Sequence, residues 1–344
     1  MLHKESFQHH IHVFRGVAII LIVCAHTLPS LDWSGHPLTY RLLDALANES
    51  SIFFFFIAGY LFQHLSARFN FRSYLKQKLK TVIAPYLLLS LPALFIFTQL
   101  VHREGMWYWF YSLPVWQQLG LFLLTGKHLT PLWFVPTITL FYLVAPLFIA
   151  LDRRAPVLYW LILPLWLLSI YLGRDGPLGP IDKAIYLLPA YMMGMAFSHF
   201  QETSEKLTQR FWLPLLIVSS VGMAGHVLEW PIPPHYLMLM KLPMSLLITV
   251  ALLRWHKLLG SKLDYIAHVS FGIFFVHAYF ISFIKVGTVY LMHGRLYAGE
   301  GSGDLPGNLL VFSVYAGLVL LFSVLLIKAA QKVLGKNSRM FIGA

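Results

Sequence analysis

The stretch "FRGVAIILIVCAHTLP", Phe14 to Pro29, decides how the whole chain is read. It is almost purely apolar, yet Arg15 stands at its start and His26 sits deep inside it. A run of this length and character is a candidate membrane helix. Ionisable side chains inside such a helix are costly and are functional candidates by default.

The surrounding composition agrees. Of 344 residues, 58% are hydrophobic and only 12% are charged, with a mean hydropathy of +0.68. A soluble domain of this size needs more charge to cover its surface. The predicted fold is therefore all-α: a polytopic membrane helical bundle forming one domain over residues 1–344. About ten spans are predicted, at 14–31, 49–66, 81–101, 132–151, 156–172, 183–200, 211–228, 237–254, 267–292 and 307–329. The segment "SLPVWQQLGLFLLTG" (112–126) is too short to cross and is expected to lie at the interface or re-enter. No small-residue cleavage site follows the first apolar run, so it is expected to stay as an anchor.

Charge sets the orientation. With the N-terminus inside, about 18 of the 26 Lys and Arg residues fall on the cytoplasmic side, which puts both termini in the cytoplasm. The net charge of +12 is read as this topological bias rather than as a nucleic-acid footprint. The single cysteine, Cys24, excludes an internal disulfide.

Arg15 and His26 are eleven residues apart. Along a helix that is about 16 Å, or three turns, so the two side chains project towards a similar face. One reading is structural: a snorkelling arginine and a histidine bonded to a neighbouring helix. The other is chemical: a proton-accepting base in a channel whose inner mouth holds an anion.

Further motifs follow in order. They are "FFFFIAGYLF" (53–62), "YLKQKLKTVIAPYLL" (74–88), "HLTPLWFVPTITLFYLVAPLF" (128–148) and "SFGIFFVHAYF" (270–280). Together with Arg-x10-His in the first helix, this series resembles the acyltransferase-3 family of integral membrane O-acyltransferases. The likeness covers most of the chain. Two departures stand out. The family often has an aspartate three positions before the arginine, where this chain has His12. It also often has arginines near the proline of the 74–88 stretch, where this chain has Lys76, Lys78 and Lys80.

The resemblance implies transfer of an acyl group, commonly acetyl, from cytoplasmic acyl-CoA to a hydroxyl of a glycan or similar acceptor. Acetyl-CoA or another short acyl-CoA would be the donor substrate, and no bound cofactor is expected. The acceptor would be a cell-envelope or secreted carbohydrate, free or lipid-linked, and the setting a bacterial inner membrane. Arg15, Arg72, Lys76 and Lys80 are the candidate donor-binding residues, because acyl-CoA is anionic through its phosphates. The positive-inside rule alone also accounts for the lysines. His26 is the candidate catalytic residue, as a general base or a transient acyl carrier.

Three residues are candidates for acceptor binding. Glu49, at the start of the second span, could orient a hydroxyl or simply be a solvated carboxylate. Trp133 could stack on a sugar or anchor in the aromatic belt. His277 could be a second acid–base group, an acceptor contact or a packed polar group bonding across helices. The four histidines His3, His9, His10 and His12 lack metal-ligand spacing, so no metal is predicted. A homodimer is compatible with the sequence. The rival function is a transporter or flippase of glycan intermediates, against which no inverted repeat or pair of broken helices is evident.

Overall fold

A computed structural model of the chain describes residues 8–232, 235–294 and 305–344. Among these residues there are helices and connecting segments but no strand, only an isolated bridge between Asp32 and Pro306. The α-helices in chain order are α1 (His9–Thr27), α2 (Pro37–Ala47), α3 (Ser51–His64), α4 (Phe71–Lys78), α5 (Ala84–Phe95), α6 (Val115–Thr125), α7 (Phe134–Leu143) and α8 (Ala145–Arg154). They continue with α9 (Ile162–Leu172), α10 (Pro180–His199), α11 (Gln201–Arg210), α12 (Trp212–Val227), α13 (Tyr236–His268), α14 (Ser270–His293), α15 (Leu309–Leu334) and α16 (Ser338–Ile342).

Each predicted span coincides with a helix, but not all meet the demands of a bilayer equally. Among the described residues six helices are long and apolar enough to cross, or up to eight if each of two bent pairs is one span. The bent pairs are Thr130–Leu143 with Ala145–Arg154, at 51°, and Gln201–Arg210 with Trp212–Val227, at 73°. The first bend falls just before Pro146, whose ring opposes a continuous helix. The two remaining predicted spans differ from this set. Pro156–Leu172 is a shorter apolar helix, and α10 opens with Asp182 and Lys183. The 255–266 stretch that connects two predicted spans is itself helical, because α13 runs unbroken for 33 residues, although its membrane-grade part ends at Trp255. Its leucines and lysines are good helix formers. The segment 112–126 contains α6, whose 11 residues reach only about 16 Å, half a hydrocarbon core.

Packing separates the chain into two compact units. The first takes Met1–Ile22, Ala45–Leu75 and Leu140–His268, as far as described. Its centre is the crossing of α3 and α10. Gly59 lies against the backbone carbonyl of Tyr191, and Gly194 against that of Phe56. A Cβ at either glycine would overlap that carbonyl, so glycine at both positions is what lets the helices approach. The rings of "FFFF" then fill the space around the crossing. Phe55 meets Phe141 at 5.0 Å, Phe56 meets Phe197 at 6.1 Å and Phe53 meets Phe14 at 5.5 Å.

The second unit takes Val23–Asp44, Lys76–Thr139 and Val269–Ala344, as far as described. Here α14 packs beside α15, and tyrosines tie the helices to one another's backbones. Tyr315 donates to the Ile281 carbonyl at 2.8 Å, Tyr279 to Leu89 and Tyr86 to Leu123 at 2.7 Å. A π turn at Leu79–Ile83 precedes Pro85, whose missing N–H disturbs the regular ladder.

Substituting Gly194→Val is expected to destabilise the first unit by about 1–3 kcal/mol, because backbone rather than a side chain opposes the new atoms. Gly287→Ala, where nothing lies within 4 Å, is the control. The measurement is the thermal unfolding midpoint in detergent, and equal midpoints for the two variants would refute the crossing argument.

Candidate active site

The first helix carries both residues of the opening motif. At its start Arg15 is anchored rather than loose. Its Nε donates to the Ala267 carbonyl at 3.0 Å, in the last turn of α13. Carbonyls at a helix C-terminus lack intrahelical donors and carry partial negative charge, so a cation is stabilised there. His12 sits 3.4 Å from Arg15 Nη2 through its Nδ1. Its Nε2 lies 3.1 Å from the Asp264 carboxylate. A carboxylate thus reaches Arg15 from α13 by way of His12. His12 stands where the family often has an aspartate. Asp264 is 252 residues further along, and no local signal points to it.

At the other end of α1, His26 is half-buried and stands beside His277 of α14. The ring centroids are 5.4 Å apart and the planes are tilted by 36°. His277 is 0% exposed. Its Nδ1 lies 2.9 Å from the Ile273 carbonyl one turn earlier. The segment carrying Trp133 packs on the same helix. Phe134 meets Phe274 at 5.2 Å, and Phe274 is 6.3 Å from His277. Trp133 itself is half-buried, with its ring 6.3 Å from that of Phe134. The second unit therefore gathers three predicted residues, His26, His277 and Trp133, around α14.

Glu49 is held elsewhere, in the first unit. It lies between α2 and α3 with a positive φ of 54°, which is uncommon for a residue with a Cβ. Its N–H donates to the Asn48 side chain at 2.8 Å. The carboxylate accepts from the Tyr186 hydroxyl and lies 4.0 Å from Arg174 Nη1. The side chain is only 10% exposed, so this is a paired carboxylate and not a solvated one. Burial alone would lower the Arg174 pKa, but the carboxylates of Glu49 and Asp175 outweigh it and hold the guanidinium above its ordinary value. Asp175 is raised by burial and lowered more by Lys183, at 2.8 Å, and by Arg174, so its net shift is downward. Nearby, fully buried Lys241 donates to the Leu46 carbonyl at 3.0 Å and to Ser50 Oγ at 3.1 Å, fixing the α2–α3 junction.

Arg72, Lys76 and Lys80 are exposed. Their spacing of four along α4 and the turn after it places them on one face. His9, His10 and His12 occupy the first turn of α1, and His3 lies outside the described residues.

Two further histidine networks join residues distant in sequence. Asp152, buried, accepts from Tyr159 at 2.6 Å and from His199 Nδ1 at 2.8 Å. Gln63 approaches its other oxygen at 3.4 Å. This ties the ends of α3, α8 and α10, which the topology predicts on one side. In the second unit His128 Nε2 lies 2.7 Å from Ser90 Oγ, and its Nδ1 lies 3.0 Å from the Phe122 carbonyl. That resembles a nucleophile and its base, but both residues are 0% exposed. A nucleophile closed to substrate is a clamp, here joining α5 to the segment before α7.

An apolar helical chain with six to eight helices able to cross a bilayer, among the described residues, is a multi-pass membrane protein. The chain belongs to the acyltransferase-3 family: a family model described as an acyltransferase domain matches residues 8–328, across both compact units. No curated protein and no solved structure is significantly similar to it. It is a multi-pass membrane acyltransferase.

The His128 clamp gives a pH prediction. Burial pushes its pKa down to about 4, with Arg103 adding and the Phe122 carbonyl opposing. The unfolded chain titrates near 6.5, so between those values it binds more protons than the folded one. The stability associated with a neutral His128 is complete above the unfolded value and is lost as pH falls from there through about 4. Its slope is about 1.4 kcal/mol per pH unit within that window. Unfolding midpoints measured from pH 7 to 4.5 should fall less steeply in His128→Phe than in the wild type. Parallel slopes would show that the buried histidine does not titrate as described.

Proposed function

We propose that this membrane acyltransferase moves a short acyl group, acetyl foremost, from cytoplasmic acyl-CoA to a hydroxyl of a cell-envelope or secreted carbohydrate, with His26 as the base. The observation that carries the reading is the position of His26. It faces a second, fully buried histidine inside an apolar interior, on the helix that also carries the anchored Arg15. Neutral imidazole is a competent base near neutral pH. As the acceptor oxygen attacks the thioester carbonyl, His26 takes its proton. The tetrahedral intermediate then collapses, the C–S bond breaks, and the imidazolium returns the proton to the leaving CoA sulfur.

The donor end follows from charge. Arg15 has its guanidinium oriented by Ala267 and His12, and Arg72, Lys76 and Lys80 form an exposed basic face. Phosphates of CoA fit such a surface. About 16 Å of helix separates Arg15 from His26, a length that the extended arm of CoA spans. On the acceptor side, the Trp133 ring, in the same unit as His26, is the group suited to a sugar face. In this arrangement about ten helices cross a bacterial inner membrane with both termini cytoplasmic.

Purified protein in nanodiscs, given labelled acetyl-CoA and envelope glycan, tests the assignment. His26→Ala is expected to lose transfer by about 10²-fold or more while still binding acetyl-CoA. Arg15→Lys keeps the charge but loses the planar fork, and should weaken donor binding, more so at high salt. Wild-type transfer by His26→Ala would overturn the catalytic role. Mass spectrometry of envelope glycans from cells with and without the protein identifies the acceptor by its lost acyl mass.

A further inference from the structure

A guanidinium recognises a phosphate through a fixed plane of N–H groups, so whatever fixes that plane governs the affinity. We propose that His12 is a positioning residue of the donor site: kept in its Nε2–H tautomer by Asp264, it turns a bare Nδ1 to Arg15 and holds the guanidinium in place. This rests on the reading of Arg15 as a donor-binding residue.

Hydrogen-bond chemistry fixes the tautomer from both sides. His12 Nε2 lies 3.2 Å from the Asp264 backbone carbonyl oxygen and 3.1 Å from its carboxylate. A carbonyl oxygen can only accept, so Nε2 carries the proton. His12 Nδ1 lies 3.4 Å from Arg15 Nη2. A guanidinium has donors and no acceptor, so Nδ1 takes this bond on its lone pair. The imidazole is therefore neutral, with its one proton on Nε2. A doubly protonated ring would set an N–H and a positive charge against the guanidinium. Spacing makes the docking possible. His12 and Arg15 are three residues apart on α1, and so are neighbours on one face. They meet the carbonyls of Asp264 and Ala267, also three apart, near the end of α13. Arg15 is gripped at Nε by Ala267 and at Nη2 by His12, two points that set the plane of the fork.

The relay also answers an electrostatic problem. A carboxylate set directly against Arg15 inside an apolar helix bundle would have to give up its water, at a high cost. The Asp264 side chain instead stays 62% exposed, while the His12 side chain, 10% exposed, spans the gap. The negative charge keeps its hydration, and the neutral ring passes orientation rather than charge to Arg15. His12 acts through Arg15 and need not touch the donor. Donor affinity is then set in part by the carbonyl end of α13, a helix that carries none of the first motif.

The test measures acetyl-CoA binding and steady-state transfer by the purified, full-length protein in nanodiscs. His12→Leu fills the space but offers neither bond. His12→Gln offers an amide oxygen to Arg15 and an amide N–H to Asp264. His12→Leu is expected to raise Kd and KM for acetyl-CoA about tenfold, with kcat at saturating donor within about twofold of the wild type. His12→Gln should hold both constants within about threefold of the wild type. In an Arg15→Lys background His12→Leu should add less than about twofold, because the two changes break the same interaction. Wild-type donor affinity in His12→Leu would overturn the proposal, as would equal losses in His12→Leu and His12→Gln, which is the signature of packing alone. If Arg15→Lys weakens donor binding while His12→Leu does not, only this inference fails; if Arg15→Lys binds acetyl-CoA like the wild type, the reading of Arg15 fails as well. Should His12→Leu not fold, nitrogen NMR of histidine-labelled wild-type protein near neutral pH decides the matter, with His12 assigned by the signal missing from His12→Gln. The His12 proton is expected on Nε2, and a proton on Nδ1 would overturn the proposal.

Discussion

Hydrocarbon supplies no hydrogen bonds, so every polar group taken into it must find its partner within the protein. This constraint shapes the chain at each level. It favours helices throughout, since a helix satisfies its own backbone. It then governs the side chains. Fully buried Lys241 is spent on the Leu46 carbonyl and Ser50. Buried Asp152 collects Tyr159, His199 and Gln63. Glu49 faces Tyr186 and Arg174, and Arg15 meets the carbonyl end of α13.

Against that background the histidine pair on α1 and α14 has a distinct character. His128 is satisfied at both nitrogens by protein groups and is sealed, which makes it structural. His277 is equally sealed but satisfied at one nitrogen only. The two histidines differ in that remaining lone pair and in the neighbour each faces.

Close approach of helices is the second requirement, and it comes from absence of side chain. Gly59 and Gly194 each accept the other helix's carbonyl where a methyl group would not fit. The aromatic residues around them, including Tyr191 with Phe141 at 4.8 Å and Phe148 at 5.0 Å, then pack the volume that the crossing leaves. Dispersion and shape, rather than the hydrophobic effect, hold helices together in such a solvent.

Membrane class, helix positions and the Arg15–His26 motif were legible in the sequence because they rest on local properties: apolar run length, the spacing of two residues on one helix and the bias of Lys and Arg. The ordered motifs pointed to the family for the same reason, since each is a short contiguous string. Which helices bend, and that α13 extends to His268, depended on where packing and proline act, which run length does not register. Partnerships were hidden altogether. His12 finds Asp264 across 252 residues, and Glu49 finds Tyr186 across 137. Composition and run length alone put ionisable groups inside a membrane. That His26 stands beside His277 follows from the packing of α1 on α14, because a side chain's partner is set by which helices touch, and a linear chain carries no record of that contact.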